Sequence, residues 1–141
     1  MIEDQIRARL AALPATFALV EGAAELSLVA GQPKAFPAAY VFESEKAAAP
    51  NERLNAVLQR IEADYAIVLV AKSVAAASGA AALTQLRPLE TAVLAALIGW
   101  QPTGADQPIT FTSSTITRVA AGTVWLEVVV STSWYLEGTA T

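Results

Sequence analysis

The chain has 141 residues, 55% hydrophobic and 16% charged, with a formal net charge of −4 and a pI near 4.7. That length suits one domain, 1–141, and a charged fraction below the usual value of about 25% predicts apolar surface hidden against copies of itself or a partner. Nine scattered Lys and Arg offer no cluster for a phosphate backbone, and the absence of cysteine removes disulfides and thiolate chemistry.

The first element is a helix. Ile2, Ile6, Leu10 and Leu13 share one face, Glu3 and Asp4 occupy the first turn, and Pro14 stops it. "MIEDQIRARL" is charged from Glu3 onward and lacks the apolar centre of a signal peptide. "TFALVEG" then reads as a short strand ending at Gly22, and "AAELSLVAGQP" as a helical turn running into a loop at Gly31 and Pro33. "FPAAYVFESE" follows as a strand, with Pro37 at its start or on an edge because proline cannot donate to the ladder. "KAAAPNER", Lys46 to Arg53, lacks a core pattern and reads as a surface loop.

The next stretch carries two periodicities. Leu54, Val57, Leu58 and Ile61 have helical spacing, yet Val57, Ile61 and Tyr65 also share one strand face, opposite Arg60, Glu62 and Asp64. "DYAIVLVA" is apolar on both faces, as in the middle of a covered sheet. One long strand, polar at its start and buried at its end, accounts for both halves. No apolar stretch reaches the roughly 18 residues that span a bilayer, so a soluble, intracellular domain without a membrane partner is expected.

"SVAAASGAAALTQL" leads into a helix with a core face of Leu86, Leu89, Val93 and Leu97, and Pro88 marks a kink or the first position of a second segment. It ends in "LIGWQP". Gly99 there has the position of a left-handed cap, Trp100 packs back on the last turn near Leu94, and Pro102 prevents the helix from resuming. The structural reading of Trp100 is preferred to a binding-site one, although part of its indole is free to serve a subunit contact. "PITFTSSTITRV" and "TVWLEVVVSTSWYL", joined at Ala120 to Gly122, form a closing hairpin. Val124, Leu126, Val128, Val130 and Trp134 share one face, so Trp125 faces the other way and needs a helix or a neighbouring subunit to cover it. Helices and strands segregated in this order predict an α+β domain, an antiparallel or mixed sheet covered by the N-terminal and Ala/Leu-rich helices.

Reactive chemistry is poorly supplied. There is no histidine, the commonest general base and metal ligand, and a zinc site without cysteine would need carboxylates alone. No G-x-S-x-G, S-x-x-K, Walker loop or G-x-G-x-x-G is present. Carboxylate pairs remain: Glu43 with Glu45, and Glu62 with Asp64, each expected on one strand face. Acid–base work needs desolvation to part their pKa values. Beside Lys46, Arg53 and Arg60 they read better as a solvated face.

The order of these elements resembles a known family. The "FPAAYVF" strand, the charged loop with "NER", "LQRIEADYAIVLVA", the helix ending "LIGWQP" and the hairpin with Trp near its end are similar to the tail terminator proteins of long-tailed bacteriophages, also called tail completion or minor tail proteins. The likeness spans nearly the whole chain, carried chiefly by "PAAYV" and "LIGWQP", which are packing patterns rather than reactive motifs. It implies a virion protein, assembled in the host cytoplasm, that forms a ring with copies of itself, typically a hexamer. That ring would cap the tail tube, stop its polymerisation and present a surface to head-completion proteins. It also implies no catalytic residue, cofactor or metal. Subunit contacts are expected in the loop and strand carrying Glu43, Glu45, Lys46, Asn51, Arg53, Arg60, Glu62 and Asp64. Another connector or baseplate component, or a small-ligand domain with a convergent pocket, is the alternative.

Overall fold

Ile2, Ile6 and Leu10 lie on one stripe of the first helix, α1 (Ile2–Ala11), and all three are buried. A computed structural model describes residues 1–14, 16–27, 33–72, 80–120 and 122–139. The further elements are β1 (Leu19–Gly22), α2 (Ala23–Ser27), β2 (Ala38–Ala48), β3 (Ala56–Lys72), α3 (Ala80–Leu97), β4 (Thr110–Ala120) and β5 (Thr123–Thr139). The fold is α+β, one domain with a five-stranded mixed sheet in the order β1-β2-β3-β5-β4. Among the described residues only the β1–β2 pairing is parallel.

The faces of the sheet have different covers. Ala39, Val41, Tyr65, Ile67, Leu69, Val128 and Val130 point to the side of α1 and α3, where they meet Ile6, Leu10, Leu86, Val93 and Leu97. Fully burying each aliphatic side chain contributes about 1.5–3 kcal/mol, so this layer dominates stability. The far face carries a smaller cluster of Ala38, Tyr40, Val68, Val70 and Trp125, covered by Leu26 of α2 and by Phe36. Trp125 and Trp134 thus face opposite ways, and Trp125 has its own cover within the subunit. The Arg118 guanidinium lies 5.5 Å from the Trp125 ring centroid. Residues 66–71 of β3 are buried on both faces, as their unbroken apolar run implies.

Several boundaries differ from the sequence reading. β1 begins at Leu19 rather than Thr16. Ala18 donates to the carbonyl of Pro37 at 2.9 Å, but Pro37 has no N–H to return, and the ladder starts one residue later. Lys46 to Ala48 belong to β2 instead of a loop, because β3 continues alongside with Ala63, Glu62 and Ile61 as partners. Local alanine-rich sequence is indifferent to strand, and the partner decides. α1 ends at Ala11, before Pro14, with Leu13 N–H bonded back to Leu10. α3 is a single helix with Pro88 inside it, not two segments. β5 extends three residues beyond Leu136. Gly31, the 73–79 lead-in to α3 and Ala121 of the hairpin turn lie outside the described residues.

Candidate functional site

Exposure rises along three adjacent strands toward the same end of the molecule. β2 from Ser44, β3 before Ile61 and β5 from Tyr135 run past the helices and form a projecting arm, closed at its tip by residues 49–55. Its surface includes Leu54, Val57, Tyr135 and Leu136, all large and exposed.

A β-bulge sets the faces of the arm. Glu43 pairs with Tyr65, but Glu45 pairs with Asp64, leaving Ser44 as the extra residue. Glu43 therefore lies on the helix side and Glu45 on the far side. The expectation that the two carboxylates share a face fails, because the inserted residue reverses the alternation. Lys46, now on the helix side, reaches Glu43 at 3.4 Å. Beyond the bulge, Val57, Ile61, Trp134 and Leu136 share the helix-side face with Lys46 and Gln59, while Glu45, Glu62 and Asp64 share the far face with Arg60.

Much of this polar set is engaged within the subunit. The Asn51 side chain donates to the carbonyls of Arg53 (2.8 Å) and Ala56 (3.0 Å) and accepts from the N–H of Leu58 (2.8 Å) and Arg53 (3.3 Å). These four bonds use its amide on both sides and fix the tip. Arg53 lies 4.0 Å from Glu137. Arg60 donates to the buried Ser133 hydroxyl at 3.0 and 3.2 Å and lies 3.6 Å from Asp106, which the same hydroxyl also contacts. Asp64 accepts from Ser131 at 2.5 Å. Glu45, Lys46, Arg53 and Glu62 stay exposed.

Two tyrosines are perturbed. Burial raises the Tyr65 phenol above its ordinary value, and the negative charges of Glu43 and Glu3 raise it further. Burial, then Glu21, raises Tyr40. Both stay neutral and act as packing groups. Gly99 follows α3 with φ 87° and donates its N–H to Ile109 at 2.9 Å, and Ile109 returns a bond to Trp100 at 2.9 Å. Arg9 lies 4.5 Å from the Trp100 centroid and donates to the carbonyl of Ala96 at 2.6 Å, tying α1 to the end of α3. Trp100 is partly buried against the main core, and Pro102 follows in the loop toward β4. Among the described residues no group of three acidic side chains is placed to hold a metal ion.

The second bare region is the open edge of the sheet. All eleven residues of β4 are exposed, Phe111, Ile116 and Val119 among them, and its one charge is Arg118. Long edge strands are commonly guarded by charges or proline; this one has two bulges instead. Between β4 and α3 runs a groove of about 430 Å³ with walls of Leu83, Leu86, Ile116 and Leu126 and a rim of Arg87 and Glu90. Ser114 bonds Glu90 across it.

Two separate regions that expose large apolar side chains suit an assembly protein. The model of the phage tail terminator protein family matches residues 3–140. The chain belongs to that family. As a tail terminator family member it is a structural tail protein of phage-type virions. Its fold is similar to that of a chain in the virion of a native gene transfer agent particle, with a TM-score of 0.62 and 17% identity over 93% of this chain and 92% of that one. No curated protein matches its sequence significantly.

Sequence reasoning placed none of Leu54, Phe111, Ile116, Tyr135 or Leu136 on a contact surface, yet the tail terminator fold leaves all five bare. In β4 the spacing of Phe111, Ile116 and Val119 fits no simple alternation, because two bulges reset it. Irregular spacing in an otherwise strand-like run was the available signal.

Proposed function

We propose that the protein closes into a ring, with six subunits the expected number. The ring seats on the end of the tail tube, ends its polymerisation and presents a surface to head-completion proteins. It acts without catalysis or cofactor and joins the virion in the host cytoplasm. The observation that carries this reading is the pair of separate apolar regions, arm and open edge, on one subunit. A cyclic assembly joins one patch to a different patch on the next copy, and so covers both. The exposed Glu45, Lys46, Arg53 and Glu62 border that contact, while Glu43, Asn51, Arg60 and Asp64 shape the arm that makes it.

Light scattering behind size exclusion, over a range of concentration and salt, tests the self-association. A discrete ring-sized species, free or on tube ends, is the expected result. Added to polymerising tube protein, the ring should stop lengthening. A strict monomer under both conditions, with tubes growing unchecked, overturns the proposal.

A further inference from the structure

Leu54 at the tip of the arm has 100% of its surface exposed. The four Asn51 hydrogen bonds hold the loop that presents it. A preformed apolar knob loses little freedom when it docks. The α3–β4 groove is a matching hole, with apolar walls and a volume of about 430 Å³.

Knob and hole cannot meet within one subunit. Leu126, in the groove, pairs with Leu69 of β3, thirteen positions from Ala56 at the tip (69 − 56). At about 3.3 Å per residue the separation is about 43 Å along the sheet. Only another copy can bring the two together; repeated head to tail such a contact closes a ring, whereas a reciprocal exchange would stop at a dimer. Charge is complementary as well. Glu52, two residues before the knob, and Arg87, on the rim of the hole, make no ion pair among the described residues.

We propose that Leu54 of one subunit seats in the α3–β4 groove of the next, with Glu52 facing Arg87. The contact rests on the ring reading above and names which surfaces form it.

The chain has no cysteine, so engineered pairs report cleanly. Under conditions where light scattering shows the ring, the chain carrying both Leu54→Cys and Ile116→Cys is oxidised and run on a non-reducing gel. A ladder of covalent multimers ending at the ring size is expected, with none from either single variant. A ring without a ladder overturns the contact and leaves the ring standing. No ring from the unaltered chain, free or on tube ends, removes both. Independently, Glu52→Arg and Arg87→Glu should each raise the concentration needed for assembly about tenfold, and together restore it. Failure of the pair to restore assembly overturns the Glu52–Arg87 contact.

Discussion

β3 is one strand with two careers. From Tyr65 to Ala71 it is buried on both faces, under α1 and α3 on one side and the α2 cluster on the other. From Ala56 to Arg60, still paired with β5 but past the end of β2, no residue is buried. The β5 ladder runs unbroken through both halves, while on the other side the outer half exchanges β2 for loop bonds from Ala49 to Arg60 and from Glu52 to Leu58. The larger difference is the second layer. The covered half supplies the stability of the fold, and the bare half offers surface to something outside it.

Substitutions in this strand and in the tip loop that leads into it sharpen that contrast. The largest loss belongs to Ile67→Ala, which leaves a hole in the main core and should cost about 2–5 kcal/mol in urea unfolding. A cost below about 1 kcal/mol there would sink the view that this half carries the stability. Alkaline pH comes next. The folded state holds the Tyr65 phenol above its ordinary value of 10.0, so its contribution is complete below that pH and falls as the unfolded chain ionises above it. Unfolding followed at pH 8 and 11 should show a drop in stability that Tyr65→Phe reduces. Asn51→Ala removes four bonds at an exposed tip and should cost about 1 kcal/mol, with faster amide exchange at Leu58 as its signature. Smallest is Leu54→Ser, within about 0.5 kcal/mol for the subunit. That variant should nonetheless assemble poorly by light scattering; unchanged assembly would separate the tip from the interface.

The sequence made the covered half readable. The stripe Ile2, Ile6, Leu10, the face Leu86, Val93, Leu97 and the opposed tryptophans follow from periodicity, because a buried face imposes its period on every residue it takes up. The arm was harder to read for the converse reason. Where nothing packs, the pattern is free to drift, so Leu54 shared helical spacing with Val57 and Leu58 while belonging to neither a helix nor a core. The bulge at Ser44 also left no local mark, since its existence depends on a partner strand twenty residues away in sequence. Asn51 stood out in a polar loop, but its bonds inside that loop needed coordinates.

That bulge acts as a change of reading frame within a single strand. Before Ser44 the odd-numbered residues of β2 face the helices; after it, the even-numbered ones do. Body and arm are thereby phased independently, and the arm's two sides can diversify while the core alternation stays fixed. Were Ser44 paired as an ordinary strand residue, the arm would slip by one residue and exchange its surfaces, setting Glu45 and Ala47 where Lys46 and Ala48 now stand. One serine thus separates the part of the chain that must fold from the part free to adapt to a partner.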